Sequence, residues 1–141
     1  AQMTGAALMV SAAFTFLIQV TVMQRVNLKP TTFIRLGLVA MLAGAGLISA
    51  FNNFTVLAAG MACLGTGLGL CMPAISAGAS LAVEPEEQGA AAGLVSSCPA
   101  IGFSVGPICA GALYQIEGSL APLFSAGVFF AVLVLLVIRD R

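Results

Sequence analysis

In 141 residues the chain carries five basic and five acidic side chains and no histidine, 60% of its residues are hydrophobic, and its mean hydropathy is +1.12. Charged residues make up 7% of it, against about 25% in an average soluble domain. A soluble domain could not cover its surface with so few charges, whereas a chain solvated by lipid can be apolar on the outside too. The balanced charge leaves no basic face for nucleic acid. Cys63, Cys71, Cys98 and Cys109 form no CxxC pair, and without a histidine no metal site or cofactor is expected; they read as small packing residues.

The ten charges leave four charge-free stretches, 1–24, 36–83, 88–116 and 118–138. A helix that crosses the hydrocarbon core needs about 20 apolar residues. The 36–83 stretch is long enough for two crossings with a turn at Asn52-Asn53, and the others hold one each. The expected fold class is therefore all-α: a polytopic transmembrane helix bundle of five spans, at about 4–24, 33–51, 55–81, 88–114 and 122–138, in one domain over 1–141. Arg25, Lys29 and Pro30 end the first span, and Thr31-Thr32 offer an N-cap for the second. Glu84-Pro85-Glu86-Glu87 forms a polar loop whose proline and acids suit the first turn of the fourth span. The chain opens on Ala1-Gln2 with no methionine and no basic region before its first apolar run. It reads as a fragment and not as a signal peptide.

With five spans, Arg25, Lys29, Arg35, Arg139 and Arg141 all fall on one face. The positive-inside rule makes that face, and the C-terminus, cytoplasmic. Polar residues inside the spans are unevenly shared. The first span carries Ser11, Thr15 and Gln19 at i, i+4 and i+8, which stack on one helical face. The third carries Thr66, Ser76 and Ser80 and the fourth Ser96, Ser97 and Ser104, while Ser49 and Ser125 stand alone in the second and fifth. Polar groups at membrane depth face the bundle interior or a wet cavity, so spans one, three and four are expected inward and two and five toward lipid.

Small residues mark the same spans. Gly65, Gly67 and Gly69 resemble a phosphate-binding loop only in outline, since they lie within a span and follow no strand. They read instead as close helix packing, as do Gly89, Gly93, Gly102 and Gly106 in the fourth span. Pro73, Pro99 and Pro107 each remove a backbone hydrogen bond inside a helix. Each admits two readings, a fixed kink that improves packing or a hinge in a gating helix.

From Gly65 to Tyr114 the chain reads Gly65-Thr-Gly-Leu-Gly69, Met72-Pro73-Ala74, Glu84-Pro-Glu-Glu-Gln-Gly89-Ala-Ala-Ala-Gly93, Gly102-Phe-Ser-Val-Gly106-Pro107 and Gly111-Ala-Leu-Tyr114. This resembles helices ten and eleven of the major facilitator superfamily, and within it the twelve-helix drug:proton antiporters of the tetracycline-efflux type. The resemblance implies that the five spans are helices eight to twelve, a partial C-terminal half of a major facilitator fold. It implies proton-coupled efflux of small amphiphilic molecules by alternating access, in a plasma membrane or bacterial inner membrane. The partners implied are the lipid bilayer, the N-terminal half and seventh helix of the same transporter, a small-molecule substrate and protons. Gln24 to Lys29 keeps two basic residues of the family's loop pattern but lacks its glycine and aspartate. Ser11, Thr15, Gln19, Met72, Ser76, Ser96 and Phe103 are the candidates for the wall of a substrate cavity. A second reading is a non-transporting scaffold or assembly subunit that docks partner helices on its glycine ridges. An enzyme has the least support, since the chain lacks a histidine, a mid-membrane acid and a paired nucleophile and base.

Overall fold

The computed structural model describes residues 2–25, 28–50 and 53–139. Ala1, Val26, Asn27, Phe51, Asn52, Asp140 and Arg141 lie outside the described residues, and with them Asn52 of the expected turn and Arg141 of the basic face. Five α-helices follow one another: α1 (Gln2–Arg25), α2 (Pro30–Ser49), α3 (Phe54–Leu81), α4 (Gln88–Ile116) and α5 (Leu120–Arg139). A short 3-10 turn over Pro85–Glu87 leads into α4. All five helices are long and apolar enough to cross a membrane.

Three boundaries differ from expectation, each for a local reason. α2 starts at Pro30, not after a threonine cap; Lys29 is the extended residue before it and makes no side-chain cap bond. Proline at the first helical position has its φ set for the helix and lacks only a proton that would have no partner there. α3 begins after Asn53, whose side-chain oxygen accepts from the Val56 amide at 3.0 Å, so the stop signal of the preceding helix is also the start signal of the next. The α4–α5 connection is tighter than expected. Glu117 closes α4 by donating its amide to the Leu113 carbonyl, and Leu120 already donates back to Glu117 at 3.0 Å.

Contacts set the topology. Gly37 lies against Gly67 and Cys71, and Gly44 against Gly60, so α2 and α3 are antiparallel. Gly65 lies against Ser11 and Gly69 against Thr15, so α1 and α3 run in parallel. The helices α2, α3, α4 and α5 close a ring in which each touches two neighbours, and α1 packs on the outside of α3. A gap of about 250 Å³ remains inside the ring, lined by residues of α2, α3, α4 and α5 that include Ala45, Leu64, Ala110 and Phe129.

Helices α2 and α3 pack closely where glycines face each other. Gly37 and Gly44 are seven residues apart on α2, and Gly60 and Gly67 are seven apart on α3; two helical turns keep each pair on one face. A Cβ at Gly44 would lie 2.8 Å from the Gly60 carbonyl oxygen, and one at Gly67 would lie 2.6 Å from that of Gly37. Lipid tails are as apolar as leucine, so association here rests on such close van der Waals contact and not on escape from water. Around it Phe33, Leu70 and Ala74 pack with Ile18 and Val22 of α1, and Leu38, Met41 and Cys71 pack with Phe129, Leu133 and Leu136 of α5.

The polar residues do not report where this packing is densest. α2, expected to face lipid, carries a buried stripe from Phe33 to Ala45, whereas α4, expected inward, has no buried residue among those described. The reason is that α2 meets α3 through glycines and α5 through apolar side chains such as Leu38 and Met41, which carry no polar side-chain group to mark the contact.

Candidate functional site

One groove takes residues from three helices. Gln19 of α1, Met72, Pro73, Ile75 and Ser76 of α3, and Val95, Cys98 and Pro99 of α4 surround a cavity of about 470 Å³. α3 forms its floor, because α1 and α4 each contact α3 but not each other. The three helices that line it are the three whose polar residues pointed inward; α2 and α5 contribute nothing to it.

The groove is off-centre. At about 1.5 Å per residue, Gln19, the Met72–Ser76 turn and the Val95–Pro99 turn each lie about 8–10 Å from the middle of their helix. In each case the displacement is toward the end of the bundle where α1 and α3 finish and α4 starts, the end that carries Arg25, Lys29, Glu84, Glu86 and Glu87.

Its chemistry is uncharged. The Gln19 carboxamide makes no hydrogen bond among the described residues. The Ser76 hydroxyl donates to the Met72 carbonyl at 3.2 Å, which uses its one proton and leaves its lone pairs. Met72 is 44% exposed. The described acids, Glu84, Glu86, Glu87 and Glu117, all lie in the connections outside the five helices.

The other candidates are placed differently. Ser11 and Thr15 lie in the α1–α3 contact. The Thr15 hydroxyl is 2.9 Å from both the Ser11 and the Gly65 carbonyl oxygens and shares its proton between them. Ser96 donates to the Ala92 carbonyl of its own helix at 2.8 Å, and Phe103, 82% exposed, lies beyond the groove. Gly65, Gly67 and Gly69 are buried in helix contacts. Gly89, Gly93, Gly102 and Gly106 have no neighbour within 4 Å that an added Cβ would meet. Gly102 and Gly106 instead line a second gap of about 370 Å³ between α4 and α5. Pro73 and Pro99 both border the groove, whereas Pro107 does not.

Three helices line an off-centre groove without charge, and comparison with known proteins supplies the family. The family model described as Major Facilitator Superfamily matches residues 1–141. The chain belongs to the Major Facilitator Superfamily. It is thus an integral membrane protein of a transporter family, whose members move small molecules across a bilayer and are in general not enzymes. Comparison with curated proteins and with solved structures found no match.

Within that family assignment, several residues contribute that the sequence pattern does not assign to these places. Val95, Cys98 and Ile75 line the groove, and Gly37, Gly44 and Gly60 set the α2–α3 distance. The glycines carried a usable signal in their seven-residue spacing on two adjacent spans. Val95 carried one too, four residues before a proline. Ile75 and Cys98 carried none, since an apolar side chain or a thiol in a membrane span is equally at home against lipid.

Proposed function

We propose that the five helices are helices eight to twelve of a twelve-helix transporter that exports small amphiphilic molecules in exchange for protons. The observation that carries the transport reading is the groove of α1, α3 and α4, with a carboxamide at membrane depth that has no partner among the described residues. Polar groups there are costly unless they meet a partner or a wet path, and a groove of this size is within the range of small-molecule pockets, about 300–1,000 Å³. In transporters of this architecture the substrate sits between two bundles that rock against each other. This bundle supplies one wall, apolar and uncharged. A scaffold subunit would need docking faces but no such groove.

The motifs from Gly65 to Tyr114 support the drug:proton antiporter type. The described acids lie outside the helices, so on this reading the carboxylates that carry protons are supplied by other helices of the transporter. The basic residues of α1, α2 and α5 gather at one end of the bundle, which supports a cytoplasmic C-terminus.

The test is transport by the complete natural polypeptide in proteoliposomes, with fluorescent amphiphiles as substrates. Movement out of the compartment facing the basic end, accelerated by an imposed pH gradient and abolished by a protonophore, is the expected result. Movement that ignores the pH gradient would remove proton coupling, and absence of movement for every substrate would remove the transport reading.

A further inference from the structure

The polar groups around the groove are unequal in kind. Ser76 has given its proton to the Met72 carbonyl and offers only lone pairs. Val95 offers a second acceptor, through its backbone. In a regular helix its carbonyl would receive the N–H of residue 99, but that residue is proline and has none. Val95 and Pro99 lie four residues apart on one helical face, and both border the groove. The freed carbonyl lies on the helical turn that borders the groove. The neighbouring hydroxyls do not cap it: Ser96 donates to the Ala92 carbonyl at 2.8 Å and Ser97 to the Gly93 carbonyl at 2.7 Å. Across the cavity, the Gln19 carboxamide brings both an acceptor oxygen and two N–H donors. The Cys98 thiol adds only a weak S–H donor, so the fixed acceptors face no strong fixed donor, and the groove-lining residues carry no charge to pair with an ion.

We infer that this groove selects uncharged apolar molecules bearing a hydrogen-bond donor, an N–H or O–H held between the Val95 carbonyl and the Gln19 carboxamide oxygen. The inference rests on the transport reading and names the ligand class of the same site. A matched molecule without the donor fills the same volume but leaves the Val95 acceptor unpaired, which a low-dielectric site penalises. A cation could donate as well, but it would enter this wall with no counter-charge.

A pair of fluorescent probes isolates the donor. N-phenyl-1-naphthylamine is uncharged and has one N–H; its N-methyl derivative has none. Both are titrated into the purified full-length transporter in detergent, and transport is followed separately in proteoliposomes. The secondary amine is expected to bind about tenfold more tightly than the tertiary one. Pro99→Ala returns an N–H to the Val95 carbonyl and should bring that ratio close to one by weakening the secondary amine alone. Gln19→Leu should weaken the secondary amine alone as well. It carries the test if Pro99→Ala does not fold, as judged by thermal unfolding. Ser97→Ala should leave both affinities unchanged. Equal affinity of the wild-type protein for the two probes, or a ratio that survives both Pro99→Ala and Gln19→Leu, overturns the inference. If transport persists in that case, the donor rule alone has failed and the transport reading stands.

Discussion

Thr15 on α1 and Gly65 on α3 meet through a hydrogen bond between a side chain and a bare backbone, with the Thr15 hydroxyl 2.9 Å from the Gly65 carbonyl oxygen. The contact needs both residues. A Cβ at Gly65 would collide with the backbone of Ser11, one turn before Thr15 on the same face. The bond and the close approach are therefore separable by mutation. Thr15→Val keeps the shape and removes the proton, at an expected cost of about 0.6 kcal/mol, the average for interhelical hydrogen bonds in membranes. Gly65→Ala forces two backbones apart and should cost about 1–3 kcal/mol. Reversible unfolding in mixed micelles, followed by far-ultraviolet circular dichroism, measures both. Equal costs would mean that close approach is not what limits the α1–α3 contact.

A second comparison uses two glycines of one helix. Gly44 faces Gly60 across the α2–α3 contact, while Gly46 has no neighbour within 4 Å. Alanine raises helix propensity by about 1 kcal/mol at either position. At Gly46 that gain stands alone, so Gly46→Ala should be neutral or stabilising. At Gly44 the new Cβ would lie 2.8 Å from a carbonyl oxygen, and Gly44→Ala should be destabilising by about 1–3 kcal/mol. The difference in sign is the prediction. The same unfolding measurement reads it, and Gly93→Ala on the open face of α4 should behave like Gly46→Ala.

These glycines show what the sequence makes legible. The number of spans could be read because lipid imposes a length and forbids charge, and ten charges in 141 residues leave few ways to divide the chain. The fold class and family followed. Gln19 and Ser76 are expected on a cavity wall because polar residues at membrane depth need partners, and both border the groove, as does the apolar Met72. Which small-residue face is occupied could not be read. Gly67 on α3 and Gly93 on α4 look alike in the sequence, yet one lies against α2 and the other against nothing described. A glycine permits close approach but does not attract a partner; the partner is chosen by whichever helix brings a complementary face. Thr15 misled for a related reason. Its spacing with Ser11 and Gln19 places the hydroxyl on a cavity-facing stripe, but a hydroxyl is satisfied equally well by a backbone carbonyl that a glycine leaves within reach.

Sidedness gives a third prediction. In a variant with Cys63, Cys71, Cys98 and Cys109 replaced by serine or alanine, single cysteines at Lys29, Glu86 and Ser119 report on the connections. Lys29 precedes α2, Glu86 lies between α3 and α4, and Ser119 lies between α4 and α5. Up-and-down helices put the first two at one end and Ser119 at the other. A membrane-impermeant maleimide applied to intact cells should label Ser119→Cys only, and should label the other two after the membrane is opened. The reverse pattern would put the basic end outside, against the expected bias of lysine and arginine.

The last prediction concerns the joint between α2 and α5. Arg35 lies in the second turn of α2 and its guanidinium donates to the Leu136 carbonyl of α5 at 3.4 Å. Leu136 is in the last turn of α5, where carbonyls run out of intrahelical donors and carry the negative end of the helix dipole. A cation from a neighbouring helix serves both needs. Arg139 in the same last turn is exposed and can give only a screened interaction with the dipole. Arg35 is half-buried beside α5, where the interaction is stronger. Arg35→Gln keeps most of the length and loses the charge, so it should loosen the end of α5 without disturbing the α2–α3 glycine contact. A cation at a helix C-terminus contributes about 0.3–1 kcal/mol, which corresponds to about two- to fivefold faster hydrogen exchange at the amides of the last two turns of α5. Arg35→Lys should restore part of the protection, since charge returns but the planar fork does not. Amides of α3 near Gly60 and Gly67 should exchange as in the wild type. If they accelerate equally, Arg35 holds the whole ring together rather than one helix end.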